Sequence, residues 1–510
     1  TDFLSFHINE LQLVDADARI TNLEAARTQG RLRGFDPLDD YVAWIKDNGK
    51  QNARIPVDFD RIRTFFSDKK VVIDEFHGVG RGYLTRLVGE AGVRYTVLHA
   101  QRDPNLPGLD YANPEEPFIN PLKEKVAETS AHLGMGMDTD ADRFGIVDKG
   151  GVYFRPNQIL PLLIRYLGIE RGLTGRVIAT QTGSPLIEIL AGMISGNEEN
   201  KPAKDALPGY VSHPFYEIRI GGREDRILEN AFLVPVGIKY IEEIRRMNRS
   251  YESEKDLPDN WRDRILIGGE ESSGLTTRGH VTDKDGPWAN LLVMDMLAYF
   301  GTRKDNPLTT IAEIWDDTVQ MAGLWESFGC SPADETSHTG RTDVDAPLEA
   351  KEALISYYLD LPETEKSPRV AGMEIAYLGG IRYDVAEMQL RDDSGDERYQ
   401  LRVRASGTEP INRIYVESKD PQQGRVIMDA VLAKLEELTI DEIRQAHSEW
   451  RLVDILTQTR LTEKTRQAVV ETLKNKGWEL AEITTKLTLS VQVLENRNRK
   501  IASFWLDALI

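Results

Sequence analysis

Asp138, Asp140 and Asp142 stand at i, i+2 and i+4 in the run Met137-Asp138-Thr139-Asp140-Ala141-Asp142-Arg143. Three carboxylates this close repel one another unless a cation lies among them, and all-oxygen ligation suits a hard ion such as Mg²⁺. Arg143 beside such an ion has the forked geometry that grips phosphate. A metal next to a phosphate is the working part of a phosphoryl-transfer site. A calcium-binding EF-hand loop also opens with alternating acids, but it needs glycine at its sixth position and glutamate at its twelfth. Arg143 and Lys149 occupy those places, which excludes it. A solvated acidic turn is the remaining competitor. The apolar flanks His132-Leu133-Gly134-Met135 and Phe144-Gly145-Ile146-Val147 speak against it, since they read as buried strands entering and leaving the loop.

Two other loops carry compatible chemistry. Gly268-Gly269-Glu270-Glu271-Ser272-Ser273-Gly274 follows the apolar run Arg264-Ile265-Leu266-Ile267. A carboxylate and a hydroxyl on a turn suit the vicinal hydroxyls of a sugar, although acidic glycine turns are commonly only solvated. His280 and Lys284-Asp285-Gly286 lie just downstream, with proton-transfer or phosphate contacts within their chemistry. Arg404-Ala405-Ser406-Gly407-Thr408-Glu409-Pro410, with Arg413 beyond it, combines two hydroxyls, a glycine-exposed backbone and two arginines into an anion nest. It lacks the order of a Walker loop.

The elements that must position these loops are legible as hydrophobic pattern. A strand at Lys70–Asp74, a glycine turn at Gly78–Gly82, a helix through Leu84-Leu87-Val88 and a strand at Tyr95–Leu98 make a βαβ unit ending in the acidic loop. Tyr83 breaks the dinucleotide fingerprint, so the glycines read as a tight strand-to-helix turn and a dehydrogenase is a distant third reading. A second α/β unit runs from a helix at Asn157–Leu163 through a strand at Arg176–Thr180 to a helix at Leu291–Leu297, with a polar exposed insertion around Gly196–Pro208. A helix-strands-glycine loop-strand-helix order over about 345–440 marks an α+β module. Beyond it the pattern turns helical, with Thr462 as N-cap and Lys474–Gly477 as the stop.

The chain has 510 residues and a formal net charge of −20, which argues against general nucleic-acid or anionic-membrane binding. An anionic substrate therefore needs a local basic pocket. With 40% hydrophobic residues there is enough apolar surface for folded cores. Cys330 stands alone, which excludes an intrachain disulfide framework and fits a reducing, cytoplasmic compartment. No apolar run approaches the roughly 20 residues of a membrane span, and the N-terminus does not read as a signal peptide. A start at Thr1 reads as a processed or incomplete chain.

Together the three loops resemble those of the α-D-phosphohexomutase family, the phosphoglucomutases and phosphomannomutases, from about residue 35 to 440. Asp138 to Arg143 is similar to its metal loop, Gly268 to Ser272 to its sugar loop, and Arg404 to Pro410 to its phosphate loop. Pro235–Lys239 and Arg278–Gly286 are also similar to family segments. The resemblance implies three α/β domains and a smaller α+β domain around one cleft. It implies interconversion of hexose 1-phosphate and hexose 6-phosphate through a phosphoserine and a hexose bisphosphate. In that scheme Asp138, Asp140 and Asp142 hold Mg²⁺, and Arg143 contacts the reacting phosphoryl group. Glu270 and Ser272 hold sugar hydroxyls. Arg404, Ser406, Gly407, Thr408 and Arg413 serve the phosphate, while Lys239, His280 and Lys284 line the cleft.

One departure stands out. The family's Thr-Ala-Ser-His-Asn-Pro loop is missing from the sequence, and its nearest echo is Ser5-Phe6-His7-Ile8-Asn9, which makes Ser5 the candidate nucleophile. The expected organisation is a partial first α/β domain at 1–68, a metal-loop domain at 69–155 and a sugar-loop domain at 156–306. A helical connection at 307–344, a phosphate-binding α+β domain at 345–445 and a C-terminal extension at 446–510 follow. That extension reads as an appended module able to pack on the body, on a second copy or on a protein partner. Two functions remain open at this point: a working mutase, and a non-catalytic phosphosugar sensor or assembly protein that keeps the cleft.

Overall fold

The computed structural model describes residues 23–30, 35–47, 55–109, 111–180, 183–198, 201, 216–221, 230–234, 236–246, 265–322, 339–345, 348–395, 399–405, 411–418, 421–445 and 463–477. Residues 1–47 form one compact unit and residues 48–510 another. The first contains helices at Leu23–Thr28 and Leu38–Lys46, the second of which buries Val42 and Ile45. Ser5 lies outside the described residues.

In the larger unit, the β-branched run at Lys70–Asp74 forms β1, buried at Val71, Val72 and Ile73 as a central parallel strand requires. It pairs in parallel with β2 (Arg94–Leu98) on one side and β3 (Leu133–Met137) on the other. β3 then turns back antiparallel into β4 (Phe144–Asp148), which pairs with β5 (Val152–Phe154). Helices at Tyr83–Glu90 and Asn120–Thr129 complete the crossovers. The acidic run is thus the β3–β4 turn, at the carboxyl end of β3.

A second sheet is centred on β6 (Arg176–Thr180). After β6 the chain forms β7 (Tyr216–Ile220), which leaves this sheet, and then β8 (Phe232–Val234), which returns to it. β9 (Ile265–Gly269) pairs in parallel with β6 and antiparallel with β10 (Leu275–Thr277), so the expected sugar loop is the β9–β10 turn.

The third sheet is antiparallel and holds β11 (Thr339–Asp345), β12 (Arg369–Val370), β13 (Met373–Ile381), β14 (Val385–Arg391), β15 (Tyr399–Ala405) and β16 (Ile411–Ser418). Helices at Leu348–Thr364 and Pro421–Gln445 cover one face, packing Leu354, Leu359, Ile427 and Val431 against Leu378, Met388, Leu401 and Val416. These are mixed α/β domains followed by a smaller α+β domain.

Two details differ from the sequence reading. The segment 307–344, read as a helical connection, begins with a helix at Ile311–Met321 but then enters β11, whose polar sequence is held extended by pairing with β16 along its length. β7, between β6 and β8 in the chain, adds antiparallel to β13 of the third sheet. β11 lacks the apolar alternation that marks a half-buried strand, because it is defined by backbone pairing at a sheet edge, whereas Tyr216-Glu217-Ile218-Arg219-Ile220 of β7 does alternate and the sequence reading passed over it. At the C-terminal end, a helix spans Glu463–Asn475, and Gly477 follows it at φ +91, a left-handed conformation suited to a helix stop. Thr462 lies outside the described residues. Among the described residues, no helix is long and apolar enough to cross a membrane.

The helix Gly286–Gly301 is buried along most of its length, with Trp288, Leu291, Leu292 and Met296 in the core. Asp295 is the charged exception, fully buried in its middle. It accepts hydrogen bonds from Arg61 Nη2 at 2.6 Å and Tyr166 Oη at 2.7 Å. Burial and the adjacent Asp295 charge hold the Tyr166 phenol protonated, so it remains a donor. This carboxylate ties the helix Phe59–Phe65 and the π-turn Arg165–Glu170 to the central helix. Removing one partner of such a pair leaves the other charge without compensation. Asp295→Ala is therefore expected to cost about 3 kcal/mol, measured as a lower urea midpoint, with Asp295→Asn losing less.

Candidate functional site

The backbone of the acidic turn is gripped from two sides. From the glycine turn after β1, Val79 N–H donates to Thr139 O at 2.7 Å. A Cβ at Gly80 would stand 2.2 Å from that of Ala141. From the other side, Gly286 N–H donates to Ala141 O at 2.9 Å, and Ala141 itself sits at φ +61. The turn at Gly78–Gly82 therefore does more than permit a tight bend, because it clears the space in which the acidic loop docks.

Within that loop Asp138 is buried, Asp142 half-buried and Asp140 exposed, and one oxygen from each lies within 4.8 Å of the others. Burial, followed by the Asp142 charge, pushes the Asp138 carboxyl up to about 7. Asp142 Oδ1 and Arg143 Nε, 3.8 Å apart, are both shut off from solvent with no hydrogen-bond partner among the described residues. A carboxyl whose proton affinity is raised by burial and by its acidic neighbours, with an orphaned oxygen beside it, fits a hard cation held by Asp138, Asp140 and Asp142.

Lys284 joins this loop to the sugar loop. Its Nζ lies 2.6 Å from Asp142 Oδ2 and 3.7 Å from Glu270 Oε2. Burial opposes its charge, but the hydrogen bond to Asp142 and the Glu270 charge outweigh that and raise its pKa. Burial raises Glu270, with Lys284 working the other way, and its carboxylate also accepts from Gly237 N–H. Arg143 is held charged, the pull of Asp138 being the largest influence acting against burial. Phe144 N–H donates to Ser273 O at 3.0 Å, and Ser273 Oγ donates to Glu115 Oε1 at 3.0 Å, so the two loops also touch through backbone.

His280 occupies a different kind of place. It is buried, stacks on Trp288 with ring centroids 4.8 Å apart, and has Nε2 2.9 Å from Asp285 Oδ2. Asp285 Oδ1 in turn accepts from Trp288 N–H as the cap of the central helix. Arg245, also buried, donates to His280 O at 3.2 Å and to Thr276 Oγ1 at 2.7 Å. These contacts anchor the segment that carries Lys284, which is a supporting position.

On the third sheet Arg404 and Arg413 stand opposite each other on β15 and β16. By the alternation of a strand they share the face away from Leu401, Val403, Ile414 and Val416, which lie in the apolar core. Arg404 Nη1 is shut off from solvent with no hydrogen-bond partner among the described residues. Two like charges across a strand pair are unfavourable by themselves, and an anion relieves them. Ser406, Gly407 and Thr408 lie outside the described residues. Ser272 is half-buried, while Lys239 is exposed with its Nζ 4.8 Å from the centre of the Tyr240 ring.

The structure thus brings Asp138, Asp140, Asp142, Arg143, Glu270 and Lys284 together. The sequence reading passed over Arg245, Glu115 and Glu271 as contributors. Arg245 sits on an ordinary amphipathic helix, and Glu115 in a proline-flanked stretch with no periodic signal.

Two outcomes follow for the metal loop. Asp138 has a folded value of about 7 against an ordinary 3.8, so the folded chain binds the extra proton between those pH values. The stabilisation from this group is present at low pH and is lost as pH rises through about 7. Stabilisation by Mg²⁺ in a thermal melt is accordingly expected to be larger near about pH 8 than about pH 6, and absent in Asp138→Asn. Gly80→Ala, which places a methyl group against Ala141, is expected to weaken that Mg²⁺ response by about tenfold in apparent affinity, read by titration, through overpacking of about 1–3 kcal/mol.

The chain is similar to known proteins. Residues 44–151 match the family described as phosphoglucomutase/phosphomannomutase, alpha/beta/alpha domain II, and residues 228–318 match domain III. A phosphoglucomutase from Emericella nidulans is 23% identical over 79% of this chain and 66% of its own length. A phosphoglucosamine mutase from Pseudomonas putida is 26% identical over 73% of this chain and 61% of its own length. The chain thus spans about two thirds or less of the length of these relatives. The crystal structure of parafusin, a phosphoglucomutase from Paramecium, in an open form, superposes with a TM-score of 0.53 at 18% identity, covering 80% of this chain and 62% of that one, which supports the fold. With its two family domains and the sheets and loops built upon them, the chain belongs to the α-D-phosphohexomutase family.

Proposed function

We propose that this chain carries the metal, sugar and phosphate subsites of a Mg²⁺-dependent phosphohexomutase that interconverts hexose 1-phosphate and hexose 6-phosphate. The observation that carries this reading is Lys284, which binds Asp142 of the acidic loop and approaches Glu270 of the sugar loop at once. It makes one site of two loops that are distant in sequence.

The roles follow from the chemistry of the groups. Asp138, Asp140 and Asp142 would hold Mg²⁺, which supplies charge neutralisation at a phosphoryl oxygen. Arg143 and Lys284 remain cations, so they stabilise negative charge on the group in transit and are unsuited to accept a proton. Glu270 and Ser272 orient sugar hydroxyls. Arg404, Arg413 and the Ser406-Gly407-Thr408 segment hold the phosphate that does not react. In the forward step a phosphoserine P–O bond breaks as a P–O bond to the sugar hydroxyl forms, giving the bisphosphate and a free serine. Transfer of the other phosphoryl group restores the phosphoserine. Ser5 is the candidate for that serine.

Two measurements test the reading. Incubating the chain with glucose 1,6-bisphosphate is expected to add one phosphoryl group to its intact mass, and Ser5→Ala to abolish the adduct. Conversion of glucose 1-phosphate to glucose 6-phosphate is expected to require Mg²⁺ and to fall by about a hundredfold or more in Arg143→Gln. An unchanged mass together with measurable sugar-phosphate binding would overturn the mutase in favour of a non-catalytic phosphosugar sensor.

A further inference from the structure

Glu270 and Glu271 are neighbours and equally inaccessible, 4% and 3% exposed, yet they serve different partners. Glu270 faces Lys284. Glu271 Oε2 accepts from Thr180 Oγ1 at 2.8 Å, at the end of β6. Its Oε1 accepts from the Tyr415 hydroxyl at 3.1 Å, on β16 of the third sheet.

Tyr415 lies directly across from Arg402 on β15. Arg402 Nη1 donates to Gly183 O at 3.3 Å, and Gly183 N–H donates to Thr180 O at 2.8 Å. The contacts close a ring: Glu271, Tyr415, Arg402, Gly183, Thr180 and back to Glu271. Arg402 and Tyr415 stand two residues from Arg404 and Arg413 along their strands, hence on the same face of the sheet. The ring therefore fastens the sugar loop beside the arginine pair.

A second tether lies at the other edge of the sheet. β7, continuous in the chain with the β6 domain, pairs with Leu378–Ile381 of β13. Arg219 of β7 donates from Nε to Leu359 O at 2.9 Å and forms an ion pair with Glu363. Two separated attachments restrain rotation of the third sheet against the sugar loop better than either alone.

Resting on the phosphohexomutase reading above, we propose that Glu271 and Tyr415 are positioning residues that set the separation between the sugar loop and the phosphate-binding strands. A ligand that fills both subsites gains from linkage only when their spacing matches its length. The pair thereby determines that the cleft favours a sugar carrying its phosphate at hexose distance over its separate parts.

The test is isothermal titration of the full chain with glucose 6-phosphate and, separately, with inorganic phosphate. Tyr415→Phe is expected to weaken glucose 6-phosphate by about tenfold while inorganic phosphate changes by less than about twofold. Glu271→Ala should behave alike, and Glu271→Gln, which keeps an acceptor for Tyr415, should recover most of the affinity. Thermal melts of the three variants identify any that fail to fold, and either position alone can decide the matter. Glucose 6-phosphate affinity unchanged in Tyr415→Phe and Glu271→Ala would overturn the proposal. Equal losses for both ligands would also overturn it, since they indicate a merely structural role. An unsubstituted chain that binds neither ligand removes the phosphohexomutase reading and this one with it, an outcome distinct from failure of the variants alone.

Discussion

The interaction on which the site depends is the salt bridge between Lys284 and Asp142, with Glu270 on the far side of the same ammonium. Two carboxylates of these loops, Asp138 and Glu270, lie where burial works against their charge. Asp138 is pushed up by burial and by Asp142, and Glu270 by burial. One half-buried cation between the two loops reduces the repulsion and makes their approach favourable. Without it the acidic loop and the sugar loop present like charges to each other, which low local dielectric makes costly.

Much of the surrounding fold serves to hold that cation in place. Lys284 precedes the buried helix Gly286–Gly301, whose cap Asp285 is held by His280, itself stacked on Trp288. Arg245 fixes the carbonyl of His280 and the side chain of Thr276. The same helix carries Asp295, which fastens the π-turn and the helix Phe59–Phe65 to it. A rigid helix start carrying both Lys284 and the Gly286 contact to Ala141 links core packing to site geometry. Preorganised charge of this kind is what phosphoryl transfer demands, because the chemistry is dominated by positioning and electrostatics.

The acidic loop and the sugar loop were legible in the sequence because metal and hydroxyl ligation demand particular residue types at short spacing. Their flanking strands were legible because burial on both sides gives continuous apolar runs, as at Val71-Val72-Ile73 and Ile265-Leu266-Ile267. β11, a polar run, was not legible as a strand, and the alternation of Tyr216–Ile220 in β7 gave no sign of the sheet it joins. Their extended form comes from pairing with β13 and β16, strands far away in sequence. Glu271 was visible in the quoted loop without a role, since its partners Thr180 and Tyr415 lie 91 and 144 residues away. His280 read as a cleft residue because a histidine near lysine and aspartate has the right chemistry, and only the stacking on Trp288 shows its supporting place.

The sequence by itself determined which residues can do chemistry: an acidic triplet with its arginine, a glutamate and serine on a glycine turn, and two arginines around a hydroxyl-rich loop. Those identities are local, because ligand type and spacing act over a few residues. The tertiary structure decided which of them meet. It placed Lys284 between two carboxylates, left Lys239 exposed, and set Arg404 opposite Arg413 on a face attached to the sugar loop through Glu271. Long-range pairing and burial assign those neighbours, and no short stretch of sequence contains them.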